Sequence, residues 1–431
     1  MSDVRLAIMV TALLVACSPV AQSPVATTAV AADAAKATYL TDSFNGSGLT
    51  AIDPLTLQDA AVRPLLPIVW SAANNSFTLA AHDGTAVAVM TYAYGQSAEP
   101  QGLDISVFDP RTGDVRARFH PEVPVIVDGL SADGSRLFAR PWPPRDLSAE
   151  RLILDASTGK VIEREPAISW QGEAAAHAHD DEGRRLYAAV VPTDPQATAP
   201  RSVELGAWDL HSGKELWRVP LPVEAGRWLT GRTLDGRPIY ASFSPGLALS
   251  PDGRVLAIVT TVGCCVPSGK LWLIDAHSGT VLSERRYQAG TSLLDRLFGG
   301  SIAEAKSWDE STTVSAAFFP GGQVLHAWAH SVRVDERGEP IHQYQGMVAV
   351  RLSDAALLGT DIKMERGWYD DQVNWLRPSA DGRWLYLFLQ RTGEFADPKG
   401  YVLRRVDPAT LRVLTERRFA DYRHAFVLAR R

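Results

Sequence analysis

The chain is 431 residues long, 46% apolar and 21% charged, which supplies a large core and excludes a disordered chain. Lysine and arginine total 43 against 49 acids, for a net charge of −6. There is no basic stripe to neutralise a phosphate backbone, so nucleic acid is excluded as a partner.

Arg5 precedes an apolar run from Leu6 to Ala16, about half of the roughly 20 residues a membrane-spanning helix needs. Residues 1–16 therefore read as a signal peptide. The run ends in Leu14-Val15-Ala16-Cys17, which resembles the lipobox of bacterial lipoproteins. The resemblance implies that Cys17 carries the lipid and becomes the new N-terminus. Residues 17–37, rich in Ala, Val, Thr, Ser and Pro without periodicity, read as a flexible tether. Two or more buried acyl chains hold a protein stably. The expected location is therefore the bacterial cell envelope, lipid-anchored, facing the periplasm or the exterior.

From residue 38 to 431 two short elements alternate. The first is a strand, an Asp-Gly turn and another strand, seen at Asp133-Gly134, Asp252-Gly253 and Asp381-Gly382. Weaker copies lie at Asp83-Gly84, Glu182-Gly183 and Gly321-Gly322. Aspartate bonds nearby backbone N–H groups and glycine accepts positive φ, as a hairpin requires. The second is an apolar strand ending in Asp-x-x-Thr/Ser-Gly, with Asp109 and Gly113, Asp155 and Gly159, Asp209 and Gly213, and Asp275 and Gly279. Variants without the glycine are assigned to Asp53, Asp354 and Asp407. All these aspartates and glycines read as structural turn residues.

Seven of the second element and six of the first fit a closed array whose ends meet in one sheet. The segment from Ala37 to Thr41 with the Asp53 turn gives one part of that sheet, and Arg423 to Leu428 its missing first strand. This pattern resembles the YVTN and WD40-like β-propellers, the superfamily that includes the heavy chain of quinoprotein amine dehydrogenases. The resemblance implies an all-β fold, a seven-bladed propeller over residues 38–431 with one blade shared by the chain ends. It says little about activity, since the repeated residues are turn residues throughout. Two stretches exceed a blade's needs: 287–313, with helix-like spacing, and 220–245, which reads as a long hairpin around Asp235-Gly236. Loops at a channel mouth are the expected interaction face.

For chemistry, His177-x-His179 followed by Asp180-Asp181 is the densest candidate metal cluster, since i and i+2 share a strand face. His326 and His330 share another face. Cys264 and Cys265 are a candidate redox pair, although adjacent α-carbons sit about 3.8 Å apart, short of the usual disulfide range. No Cys-x-x-Cys-His motif occurs, so covalent c-type haem is excluded. The segment Trp208 to Trp217 resembles one tryptophan docking repeat of the quinone dehydrogenases, but it occurs once, and Trp217 reads as a packing residue. Acidic pairs at Asp180-Asp181, Asp309-Glu310 and Asp370-Asp371 suit calcium on loops; no other cofactor is expected. No nucleophile elbow, phosphate loop or zinc-protease helix is present.

The sequence thus favours a non-catalytic, membrane-anchored scaffold that binds an envelope protein or ligand through its mouth loops. The alternative is an enzyme component, either a subunit of a quinoprotein amine dehydrogenase-like complex or a metal-dependent lactonase-like hydrolase.

Overall fold

The computed structural model describes most residues from Tyr39 to Leu428. Outside the description lie 1–38, 43–48, 59–73, 82–85, 95–99, 110–113, 143–149, 233–237, 263–267, 289–309, 335–339, 362–371, 393–397, 420–425 and 429–431, with single positions 54, 132, 169, 171, 181, 193, 195, 196, 380 and 381. Every regular element among the described residues is a strand.

The chain enters as β1 (Tyr39–Asp42) and β2 (Leu49–Ile52), an antiparallel pair. Four-stranded antiparallel sheets then follow in up-and-down order. The first is β3 (Asn74–Ala80), β4 (Val87–Tyr94), β5 (Pro100–Phe108) and β6 (Val115–Phe119). The second is β7 (Val125–Leu130), β8 (Arg136–Pro141), β9 (Arg151–Asp155) and β10 (Val161–Glu165). Next come β11 (Glu173–His179), β12 (Arg185–Val191), β13 (Arg201–Asp209) and the long β14 (Lys214–Arg232). The far half of β14 pairs with β15 (Pro238–Ser244), giving the hairpin expected at 220–245. After it stand β16 (Gly246–Leu249), β17 (Val255–Val262), β18 (Ser268–Asp275) and β19 (Val281–Gln288). Then follow β20 (Glu310–Phe318), β21 (Val324–Val334), β22 (Pro340–Arg351) and β23 (Leu357–Asp361). A short parallel contact, Phe243 opposite Thr312 and Ser244 opposite Thr313, joins β15 to β20 and fuses their two sheets. The last four-stranded sheet is β24 (Gln372–Pro378), β25 (Leu385–Thr392), β26 (Pro398–Val406) and β27 (Val413–Phe419). Finally β28 (Phe426–Leu428) pairs with β1, Tyr39 opposite Leu428, so the two ends of the described chain share a sheet.

Successive up-and-down sheets, each stacked on the next, are β-propeller architecture. The stacking is visible side chain by side chain. Phe119 meets Gly159 and Phe138 meets Gly183; Trp217 Nε1 donates to the Ala276 carbonyl at 3.2 Å. Gly246 lies against Ala316, buried His326 donates from Nε2 to the Pro408 carbonyl at 2.6 Å, and Arg417 donates to the Leu57 carbonyl at 2.8 Å. Strand β28 in turn lies against β3.

The turns explain the repeats. Asp155 Oδ1 accepts the N–H groups of Ser157 at 2.9 Å and Thr158 at 2.8 Å, while Gly159 at φ 73° donates back to the Asp155 carbonyl. Asp275 and Asp209 are used the same way. These bonds favour the carboxylate, so Asp155, Asp209 and Asp275 are all held below their ordinary pKa. In the Asp-Gly hairpins, Ser131 and Ser250 each accept the N–H five residues on and donate to Asp133 or Asp252.

One register needs correction. The turn assigned to Asp354 begins three residues earlier: Arg351 N donates to the Ala356 carbonyl, as Asp155 N does to that of Lys160. Asp354 sits inside the turn, and its aspartate attracted the assignment because the first position has become arginine. Where glycine is missing, Leu57, Ala355 and Leu411 themselves take φ of 56° to 58°. All three are buried. Left-handed backbone costs about 1–2 kcal/mol, and burying a leucine returns about 1.5–3 kcal/mol, so Leu57 and Leu411 are affordable where Gly159 is not replaceable.

Candidate functional site: a polar wedge between two sheets

The ionisable groups concentrate where the β7–β10 sheet meets the β11–β14 sheet. On β11, the rings of His177 and His179 stand edge to face with centroids 5.8 Å apart. Asp128 on β7 and Arg140 on β8 form a bidentate pair, with N–O distances of 2.5 and 2.7 Å. Burial, then the charges of His177, Arg151 and Arg140, lower His179 to about 3. His177 keeps solvent contact, and its shift is also downward, by burial first and Arg140 second against the pull of Asp128. Both imidazoles are neutral at pH 7, and His179 Nδ1 is buried without a partner. Asp180 does not complete a ligand set. Its Oδ1 accepts the N–H groups of Arg184 at 2.6 Å and Arg185 at 3.1 Å, taking the place that Ser131 and Ser250 hold in sister hairpins. Burial raises its pKa despite these bonds. Asp181 lies outside the described residues.

Farther along the same seam the second group gathers. Arg151, 6% exposed, and Glu165, 4% exposed, pair at 2.5 Å through Nε and Oε2. A second guanidinium nitrogen of Arg151 donates to the Gly183 carbonyl of the neighbouring sheet. The guanidinium also covers the Phe138 ring at 4.8 Å. Beyond this pair opens a pocket of about 410 Å³, lined by Phe138 and Ile153 beneath and by Glu163, Glu165, Arg184 and His211 among its walls. His211, from the turn after β13, approaches Glu163 on β10 with Nδ1 2.8 Å from Oε1. Glu163, Glu165 and His211 bring one ligand atom each to within 4.8 Å of one another, the group among the described residues with metal-binding spacing.

Sequence reasoning missed this group because no motif spacing links the β10 glutamates to a histidine nearly a sheet away. The available signal was Arg151. Four residues before each turn's first residue stand Leu49, Ile105, Leu205, Leu271, Met347 and Leu403. Arg151 alone breaks this apolar position, and a buried ion pair is an expensive replacement.

The other candidates are placed as follows. Cys17, Cys264, Cys265, Gly113, Asp381, Asp309, Asp370 and Asp371 lie outside the described residues, as does most of the 287–313 stretch. His326 spends Nε2 on the Pro408 carbonyl, and burial lowers it to about 4; the side chain of His330 is not described. Trp217 packs between sheets against Gly279.

No family model matches the chain, and no curated protein does. Among solved structures it is similar to Kuenenia stuttgartiensis hydrazine synthase, at 12% identity over 77% of this chain and 76% of that one, TM-score 0.43. It is similar to the β-propeller domain of Myceliophteria thermophila Cps50 (Swd1), at 10% identity over 80% and 88%, TM-score 0.40. A putative 6-phosphogluconolactonase from Bacteroides uniformis matches at 10% identity over 91% and 99%, TM-score 0.44. Likenesses this distant carry no argument about activity.

Proposed function

We propose that the chain is a seven-bladed β-propeller, lipid-anchored through Cys17 at the bacterial envelope, that acts as a non-catalytic scaffold binding an envelope protein. The observation that carries the reading is the cyclic order of sheet contacts, from Phe119–Gly159 round to Arg417–Leu57, with β28 paired to β1. The seven-bladed count is part of this reading: it takes the split sheet once and treats β11–β14 and β20–β23 as separate blades joined by β15. A closed ring of this kind places loops from many blades around each channel mouth. The scaffold reading also draws support from β11 and its neighbours, where Asp128, Arg140 and Asp180 are engaged with one another or with backbone.

The test is affinity capture of the detergent-extracted protein from its own envelope, beside a Cys17→Ser variant. The expected result is one stoichiometric protein partner and loss of membrane association in the variant. A wild-type protein that captures no partner and hydrolyses lactones or oxidises amines would overturn it in favour of the enzyme alternative.

A further inference from the structure

We infer that the wedge between the β7–β10 and β11–β14 sheets is a binding site for a divalent first-row transition metal of the zinc type, held by Glu163, Glu165 and His211. This goes beyond the scaffold reading and does not depend on it. Four observations converge. The three residues come from two sheets and offer two carboxylate oxygens and one imidazole nitrogen within 4.8 Å of one another. Tetrahedral zinc with N and O ligands needs donor separations of about 3.3 Å, so closure asks for about an ångström of side-chain movement. His211, already 2.8 Å from Glu163 Oε1 and 75% exposed at its side chain, stands at the surface where that movement meets little packing.

Second, Glu165 is buried and aimed into the pocket with half its carboxylate uncommitted. Arg151 takes Oε2, and Oε1 has no donor among the described residues. A carboxylate with one oxygen fixed by a neighbour and the other open is the arrangement that outer-sphere partners give to a metal ligand. Third, the pocket of about 410 Å³ above the three residues leaves room for water or an exogenous donor to complete the coordination. Fourth, the ring's own repetition says the site is built. The described positions equivalent to Arg151 in sister sheets include Ile105, Leu205, Leu271, Met347 and Leu403, each 0% or 1% exposed. The position equivalent to Glu165 is Phe119 and Val219 in the two flanking sheets but Arg285, Asp361 and Arg417 in the others, so the residue that departs from the whole ring is Arg151. The apolar pairs of the flanking sheets, Ile105–Phe119 and Leu205–Val219, are replaced here by a buried ion pair at the seam where His211 and Glu163 meet it.

A donor set of one imidazole and two carboxylates suits zinc, and cobalt or nickel with it, better than calcium, which prefers six to eight oxygens. The site is separate from His177 and His179, which belong to β11 and are not in the group.

The experiment is titration of the purified, chelator-treated full chain with Zn²⁺ by calorimetry, and with Co²⁺ by visible absorption. The expected result is one equivalent bound, with intense Co²⁺ bands of low coordination number. His211→Ala, at an exposed turn residue, should weaken binding at least tenfold, in line with loss of a ligand, without altering the fold by circular dichroism. The double variant Arg151→Leu/Glu165→Phe, which restores the neighbouring sheet's pattern and avoids a lone buried charge, should bind no equivalent. Substoichiometric binding by the wild type, or unchanged affinity in His211→Ala, overturns the inference. Because no partner or membrane enters the assay, its failure leaves the scaffold reading standing, and failed partner capture leaves the metal site standing.

Discussion

Two neighbouring seams solve the same packing problem with opposite chemistry. Between β3–β6 and β7–β10, Phe119 fills the space against Gly159, and Gly134 lets its turn settle on Ala81 and Ala86. At the seam between β7–β10 and β11–β14, Glu165 takes the position of Phe119 and Arg151 that of Ile105, with the guanidinium spanning to Gly183. The first seam is stabilised by apolar burial, about 25 cal/mol per Å². The second must first recover the desolvation of two charges, and an ion pair rarely does so by a wide margin. The ionic seam is therefore the one whose chemistry is unexplained by stability alone.

The comparison breaks hardest at Arg151. Arg151→Leu leaves Glu165 buried without its cation and should cost about 3–5 kcal/mol, read as a lowered denaturant midpoint. Adding Glu165→Phe should recover most of that loss, because the seam then follows its apolar neighbour; a double variant no more stable than the single would show that the wedge cannot pack apolar side chains. On the apolar side, Gly159→Ala meets the Phe119 ring at a φ of 73° and should cost about 2–4 kcal/mol from backbone and overpacking together. Gly253→Ala, at φ 70° with open space around it, isolates the backbone part at about 1 kcal/mol. Equal losses at the two glycines would mean the Phe119 contact contributes nothing.

A smaller effect sharpens the turn chemistry. Hydrogen bonds from Ser131 and Ser135 hold Asp133 at about 2, below its ordinary 3.8. A depressed folded pKa stabilises the fold above the unfolded value and is lost as pH falls from 3.8 toward about 2. Asp133 is exposed, so the contribution is below about 1 kcal/mol. Melting temperatures of wild type and Asp133→Asn should differ near neutral pH and converge at about pH 2; a gap that persists in acid rules the carboxylate out as its source.

The legible part of this molecule was its punctuation. Asp155, Gly159, Asp275 and Gly279 stand out in the sequence because the chemistry of such a turn is local, a carboxylate bonding N–H groups two and three residues on. The same habit misled at Asp354, where an aspartate stood three positions late and Arg351 held the turn's first place. The wedge was not legible because His211 reaches Glu163 and Glu165 only after two sheets stack. The histidine pair on β11 drew attention as a motif, while the departure of Arg151 from a leucine column needed the column to be aligned first.

The pairing of Tyr39 with Leu428 has a consequence for how the chain can be cut. Loop-closure entropy grows slowly, about 0.6 kcal/mol for each doubling of length, so joining strands from opposite ends of the sequence adds little to the entropy of collecting the chain. The order of sheets is cyclic while the polypeptide is linear, and the place where the backbone is interrupted is arbitrary to the packing. A permuted gene, with its original ends bridged and new ends opened at the uncrowded Gly253 turn, should encode the same set of sheets.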